Sequence, residues 1–198
     1  MLYFTNTDLA KFVNPTNIDV YLWRRTKSGK IIRLKRGLYV TQEQITFLQK
    51  TDNYAGYIPY LTTNILMSPS YISTEEVLFL NNIIIENVYA TTAITTKKTT
   101  YIENSFWRFQ YQNISEDLFR GYETKKIWRL TSYRAYPEKA LLDYLRLKKG
   151  IVFQESYFEE LRLEVDRLNF KRLKQFVKRF NRRKIDTCFT YLQKLRWL

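Results

Sequence analysis

The sequence predicts an α+β fold with helices towards both ends and a sheet in the middle. Apolar residues recur at helical spacing near the amino end and through residues 151–198, whereas they alternate with polar residues between positions 88 and 136. The 198 residues, 45% of them apolar, suffice for one medium domain or two small ones with a buried core. We therefore expect helical and sheet-forming segments that pack against one another.

The composition argues against several classes of protein. Histidine is absent, which removes the commonest general base, the commonest transition-metal ligand and nucleophile pairs such as Ser-His. Cys188 is the one cysteine, so no intramolecular disulfide can form and a reducing compartment is expected. No apolar stretch is long enough to span a bilayer, and the first residues lack the features of a signal peptide. We expect a cytoplasmic protein that is not an enzyme and uses no metal or cofactor.

Positive charge is concentrated at the two ends of the chain. The formal net charge is +14, which favours an anionic partner, usually nucleic acid. Residues 1–40 hold 8 Lys/Arg against 2 Asp/Glu, and residues 155–198 hold 12 against 6, so each end carries +6. We divide the chain into a basic head (1–41), a nearly neutral central α+β domain (42–150) and a basic helical tail (151–198).

The head begins with two predicted helices. The first follows Asn6 and ends at Asn14-Pro15, and the second is expected to start with Thr16 and Asp19 as a capping box and to stop at Ser28-Gly29. On the second helix, one face is expected to pack inward (Ile18, Tyr21, Leu22) and the other to face outward (Val20, Trp23, Arg24, Lys27).

A basic hairpin follows the second helix. Residues 31–34 and 38–41 alternate like strands, and Gly37 permits a tight turn between them. Helix, turn, helix and hairpin is the element order of a winged helix-turn-helix, which places a helix in the major groove of duplex DNA.

This layout predicts a DNA-binding surface on the head. The groove-facing residues are expected on and just before the second helix, and the phosphate contacts at its end and on the hairpin. For any single residue the alternative is an ordinary solvated charge. The candidates are Thr16, Asn17, Tyr21, Trp23, Arg24, Arg25 and Lys27 for the helix, and Lys30, Lys35 and Arg36 for the phosphates.

The central segment is expected to open with helices and to close with one. A helix is predicted over residues 54–67, and a second is predicted to start at Ser70, with Ser73 as its cap. Pro137 followed by Glu138 is a strong signal for the start of another helix. The expected buried residues are Tyr57, Leu61 and Ile65 on the first helix and Val77, Leu78 and Leu80 on the second.

Between these helices the pattern predicts an antiparallel sheet. Strands are expected at 88–95, 99–103 and 106–114, with a turn at Asn104-Ser105, and a further pair near 123–130 and 132–136. Along the third strand Trp107, Phe109 and Tyr111 share one face, which could serve as a base-stacking platform or as part of the core. We favour the core.

Four short motifs give the chain a family resemblance. The motifs are Gly37-Leu38-Tyr39-Val40, Pro69-Ser70-Tyr71-Ile72-Ser73, Leu118-Phe119-Arg120-Gly121-Tyr122 and Pro137-Glu138-Lys139-Ala140-Leu141-Leu142-Asp143. Taken in this order, they resemble the AbiEi (abortive infection) family of antitoxins and transcriptional regulators, over about residues 5 to 150.

The resemblance implies a function for the whole chain. A winged helix, falling here on residues 5–41, would repress its own operon by binding inverted repeats in double-stranded DNA. A downstream domain would neutralise a partner toxin, usually a nucleotidyltransferase-like protein encoded next door, and the central motifs would be structural. The oligomeric state stays open, with a monomer that binds the repeats cooperatively as one option.

The tail is expected to form three short amphipathic helices, with Asn169 and Asn181 at the breaks. Its cations could form a second DNA contact, an interface for an acidic face of the toxin or a solvated surface, in that order of preference. These cations are Lys171, Arg172, Lys174, Lys178, Arg179, Arg182, Arg183 and Lys184.

Three other functions remain open: a stand-alone winged-helix regulator, a protein-only interaction module and a metal-dependent nuclease. Glu138 and Lys139 would be the nuclease candidates, but adjacent residues at a helix start point in different directions, and such nucleases need them on strands. The isolated glycines form no phosphate-binding loop.

Overall fold

The computed structural model has a mixed α+β fold, as the sequence predicts, and it contains two sheets. It describes residues 3–12, 14–51, 54–85, 88–105, 107–127, 130–148, 150–151 and 153–195. Within these ranges no helix is long and apolar enough to cross a bilayer.

The head contains a small sheet and the helices α1 and α2, and α3 follows it directly. In chain order these elements are β1 (Phe4–Thr5), α1 (Asn6–Leu9), α2 (Ile18–Lys27), β2 (Ile31–Lys35), β3 (Leu38–Thr41) and α3 (Gln42–Gln49). The strands follow the order β1-β3-β2 and pair antiparallel. Phe4 stacks on Tyr39 with ring centroids 5.8 Å apart, which fixes the short first strand against the hairpin.

Two predicted caps in the head differ from the structure. The first helix is a single turn whose N-cap is Thr5, because the Thr5 and Asp8 side chains form a reciprocal capping box. The capping box expected from Thr16 and Asp19 is wrong. A 3₁₀ turn at Pro15–Asn17 precedes α2, and the Thr16 hydroxyl donates to Asn14 Oδ1 at 2.8 Å instead of capping the helix.

A helix that changes from α-helical to π-helical hydrogen bonding links the head to the large sheet. It runs as α4 (Tyr54–Tyr60) and continues as a π-helix (Leu61–Leu66). Pro59 inside this helix has no N–H to donate, and the Thr63 hydroxyl returns a hydrogen bond to the Pro59 carbonyl at 3.0 Å. Tyr57 and Leu61 are fully buried as expected, and Ile65 is half-buried.

The large sheet has six strands in the order β6-β7-β5-β4-β9-β8. Its strands are β4 (Ser70–Ile72), β5 (Thr91–Thr95), β6 (Thr100–Glu103), β7 (Arg108–Asn113), β8 (Tyr122–Ile127) and β9 (Leu130–Ala135), and the helix α5 (Glu75–Leu80) connects β4 to β5. The expected hairpins β6–β7 and β8–β9 are present, but β4 pairs parallel with β9 and β5 pairs parallel with β7. The sheet is therefore mixed, and the prediction of a purely antiparallel sheet is wrong.

The largest local error concerns residues 70–73. The sequence predicts the start of a helix here, but residues 70–72 form the central strand β4, and α5 begins after Thr74 at a left-handed φ of 58°. Val77 and Leu78 are buried as expected, whereas Leu80 is 49% exposed. The expected start of strand 106–114 and the expected end of strand 123–130 include positions that lie outside the described residues.

The aromatic stripe on β7 belongs to the core. Phe109 and Tyr111 have no exposed surface, and Trp107 is half-buried with its indole N–H donating to Thr91 Oγ1 at 2.8 Å. These rings pack with the hairpin and α4 in one hydrophobic cluster. Phe109 and Tyr111 offer no ring face for base stacking, so the core interpretation is confirmed.

Helix α6 (Pro137–Leu147), which ends the central segment, and the tail helices close one face of the large sheet. The tail helices are α7 (Glu155–Glu160), α8 (Phe170–Phe180) and α9 (Arg183–Leu195). As predicted, the Asn169 side chain caps α8 and Asn181 ends it in the left-handed conformation. One hydrophobic cluster joins β4, α6, α8 and α9, and a second joins the hairpin to β5 and β7, so apolar cores cross both borders between head, central segment and tail.

Candidate nucleic-acid interface

Helix α2 has one buried side and one side that faces the solvent. Ile18 and Leu22, one helical turn apart, are buried against the small sheet. This anchoring turns the opposite side outward, as the sequence predicts. Val20 is 50% and Trp23 58% exposed, and Arg24 and Lys27 are exposed too.

A groove of about 490 Å³ separates α2 from the hairpin. Trp23 and Thr26 border it from the helix, and Arg33 and Arg36 border it from the hairpin. Gly37 has a φ of 76°, which makes the tight turn after Arg36 possible. An outward helix and an arginine-bearing hairpin therefore share one concave surface.

The structure distributes the predicted DNA-binding residues over two sides of α2. Tyr21, Arg25 and Lys30 border a second groove, of about 400 Å³, on the other side from the hairpin turn. Tyr21 is half-buried, whereas Thr16 and Asn17 are exposed at the start of the helix.

Two cations on α2 lie over aromatic rings. Lys27 Nζ is 4.5 Å from the centroid of Trp23, and the Arg25 guanidinium carbon is 5.2 Å from that of Tyr21. Each contact restricts a long side chain and leaves its charge near the surface.

The cations of the head have no acidic partners. Within the described part of the chain, the ion pairs involve residues of the central segment and the tail, and none of the head arginines or lysines takes part. The Asp8 carboxylate is already bound to Thr5, and these hydrogen bonds lower its pKa. Asp19 borders the same groove, but it forms no ion pair with the cations of α2 and the hairpin, so these cations stay available to a partner.

Lys35 differs from the role expected for it. The sequence pattern assigns it to the phosphates, but its ammonium donates to the carbonyls of Ile65 and Leu66 at 2.9 and 3.0 Å. These carbonyls end the π-helix, so Lys35 caps that helix from the hairpin. Burial lowers the pKa of the Lys35 ammonium, and the nearby charge of Lys97 adds to this effect.

A second basic surface runs along α8. Leu173, Val177 and Phe180 bury its apolar side, and the exposed side carries cations that continue into the start of α9. Those exposed and without an ion pair among the described residues are Lys171, Lys174, Lys178, Arg179, Arg182 and Arg183.

The remaining two tail candidates are engaged within the protein. Arg172 pairs with buried Glu138 at 3.3 Å and lies over the ring of Tyr136. Lys184 donates to the Lys148 carbonyl and lies over the ring of Phe153. Neither has the freedom of the six exposed cations.

A buried polar cluster joins two of the sequence motifs. Lys139 Nζ donates to Tyr71 Oη at 2.8 Å and to Asp143 Oδ1 at 2.5 Å, and Ser73 Oγ donates to Asp143 Oδ2 at 2.9 Å. Burial lowers the pKa of Lys139, an effect that Asp143 opposes, and burial together with Asp143 raises the pKa of Tyr71. The motif residues can be recognised in the sequence, but their mutual contacts cannot.

A third motif packs against this cluster. The rings of Phe119 and Tyr122 lie 5.2 and 4.8 Å from that of Tyr71. Gly121, between them, has a φ of 80°, and a Cβ there would lie 2.8 Å from Phe176 Cζ. Three of the four motifs therefore meet at one place in the core.

The pair suggested for a nuclease is also buried. Glu138 is 2% and Lys139 1% exposed, and Glu138 Oε1 accepts from the Asn169 backbone N–H at 2.7 Å. Among the described residues no group of three or more acidic or cysteine side chains could hold a metal ion.

Comparison of the chain with models of known protein families and with curated proteins gives no match.

Proposed function

We propose that this chain is the antitoxin of a bacterial toxin–antitoxin system and represses its own operon by binding duplex DNA. The observation that carries the DNA-binding part is the set of exposed cations on α2 and the hairpin, none of them in an ion pair among the described residues: Arg24, Lys27, Arg33 and Arg36. A solvated surface needs no such concentration of one sign of charge, whereas phosphate binding does.

The dimensions of the head suit this role. A helix with side chains is about 10–12 Å wide, close to the roughly 12 Å width of the major groove of B-DNA. With α2 in the groove, Arg33 and Arg36 of the hairpin would reach adjacent phosphates. A small sheet that closes the hairpin onto a strand ahead of the helices supports a winged helix.

The antitoxin part rests on the family resemblance. The buried contacts among its motifs support a structural role for them, so toxin binding would use other, exposed residues. In this proposal the partner is a nucleotidyltransferase-like toxin and the chain itself catalyses no reaction. Identification of the neighbouring gene, followed by co-expression with its product, tests this part. Growth rescue by the chain is expected, and a toxin that stays active beside it would contradict the proposal.

DNA binding is tested with a duplex that covers the promoter of the chain's own gene. Arg24→Ala combined with Arg36→Ala should abolish the fluorescence anisotropy change and leave the melting temperature within a few degrees, because both side chains are exposed. The matched control, Lys98→Ala combined with Lys126→Ala, removes two exposed charges elsewhere and should keep the affinity. Full binding by the first variant would contradict the head as the DNA-binding surface.

The α8 surface is a candidate for a second contact to the same DNA. Lys171, Lys174 and Lys178 lie at positions i, i+3 and i+7, along one side of the helix. Changing all three to alanine should weaken binding to every duplex sequence alike and lower the salt slope by about one for each phosphate that no longer faces a lysine. An unchanged slope would show that the α8 surface does not contact DNA, and toxin binding would then be its proposed role.

A further inference from the structure

The middle of the outward face of α2 is not basic. Val20 is 50% and Trp23 58% exposed, one helical turn apart, and the exposed carboxylate of Asp19 lies beside them. The cations of the helix, Arg24, Arg25 and Lys27, all lie in its second half. A face that bound phosphates alone would have no reason to expose two apolar side chains and an acid at its centre.

Apolar groups in the major groove have one specific partner. The C5-methyl group of thymine is the apolar feature of a base edge there, and apolar side chains recognise it. Recognition helices contact base edges mainly through their amino-terminal residues, which is where Val20 lies in α2.

Trp23 is positioned for the same role. Its indole borders the groove between α2 and the hairpin, and Lys27 Nζ holds the ring from one side at 4.5 Å. The rise of about 1.5 Å per residue separates Val20 and Trp23 by about 4.5 Å along the helix axis, comparable to the spacing of about 3.4 Å between base pairs.

We propose that Val20 and Trp23 read thymine methyl groups in the major groove, so that each binding site contains a thymine contacted by Trp23. The inference rests on the proposed DNA binding and specifies what the same surface recognises. The cations that flank the apolar pair favour duplex DNA as its occupant over a second copy of this basic chain.

The probe is a duplex selected by the wild-type protein from a randomised library. Each thymine of the enriched site is replaced singly by deoxyuridine, which lacks only the C5-methyl group. At least one of these replacements should weaken binding of the wild-type protein about fourfold, the effect of one buried methyl group. At the thymine that Trp23 contacts, Trp23→Ala should bind the thymine and uracil duplexes with equal affinity.

Phe47→Ala is the matched control, because Phe47 is an aromatic residue of α3 with a similar exposure of 59%. It should keep the fourfold preference for thymine. Equal binding of all single-uracil duplexes by the wild-type protein would overturn the inference and leave the proposed function standing. If no sequence is enriched at all, the proposed function fails together with it.

A protein-contact role for Trp23 would give a different result. Trp23→Ala would then change the oligomeric state in light scattering and retain the preference for thymine over uracil at every position where the wild-type protein shows it, which would also overturn the inference.

Discussion

Tyr71 and Asp143 are 72 residues apart in the sequence, and the Tyr71 hydroxyl donates a hydrogen bond to Asp143 Oδ2 at 3.1 Å. The same carboxylate accepts from Ser73 and from Lys139, so the central strand of the large sheet is joined to α6 by a buried charged group. A buried charge is tolerated only when it is paired and hydrogen-bonded, as it is here.

Asp143→Asn should lower the free energy of unfolding by about 3–5 kcal/mol, because it leaves the Lys139 ammonium buried without a counter-charge. Urea denaturation measures the loss. The double variant Lys139→Met with Asp143→Leu removes both charges and should be less destabilised than the single variant. A single variant as stable as the wild type would show that the pair does not hold the strand to α6.

Gly121→Ala should destabilise the protein more than Gly150→Ala. Both glycines have a left-handed φ, which costs an alanine about 1–2 kcal/mol. At Gly121 the new Cβ would also collide with Phe176 and contact Lys139, whereas nothing lies within 4 Å at Gly150. The difference in unfolding free energy should be about 1–3 kcal/mol, the cost of overpacking. Equal destabilisation of the two variants would mean that Phe176 moves aside freely.

Lys35 and Arg36 are neighbours with opposite expected roles. Lys35→Ala removes the hydrogen bonds to Ile65 and Leu66 and should lower the unfolding free energy by about 1.5 kcal/mol with little change in DNA affinity. Arg36→Ala should weaken DNA binding and leave stability unchanged, because its side chain is exposed. Thermal melts and anisotropy titrations of the two variants measure both effects. The reverse assignment of effects would restore Lys35 to the DNA-binding surface.

Local signals predict much of the fold. The hairpin of β2 and β3 depends on Gly37, α6 begins at Pro137, and α8 is bounded by Asn169 and Asn181. In each case the local backbone favours one residue type. A positive φ favours glycine, the first turn of a helix tolerates proline, and a helix cap favours asparagine, so a few neighbouring residues suffice for the prediction.

The errors arise where distant segments decide the structure. Ser73 followed by Glu76 has the spacing of a helix cap, but residues 70–72 are taken by pairing with β5 and β9, which no local pattern reveals. The parallel pairs that make the sheet mixed are likewise long-range.

In the candidate site, too, local features could be predicted and long-range contacts could not. Charge counts identify the basic head and tail, and the apolar positions of α2 and α8 identify the exposed faces. Which cations are already engaged could not be predicted, because the acceptors for Lys35, Arg172 and Lys184 belong to segments far away in the sequence.

The most direct test of DNA binding by this chain is the salt dependence of its affinity for the promoter duplex. Fluorescence anisotropy between 50 and 200 mM salt measures it. If about six phosphates are neutralised, the affinity should fall roughly a thousandfold over this range. A change of less than about tenfold would contradict DNA binding, because neutralisation of several phosphates requires a steep slope.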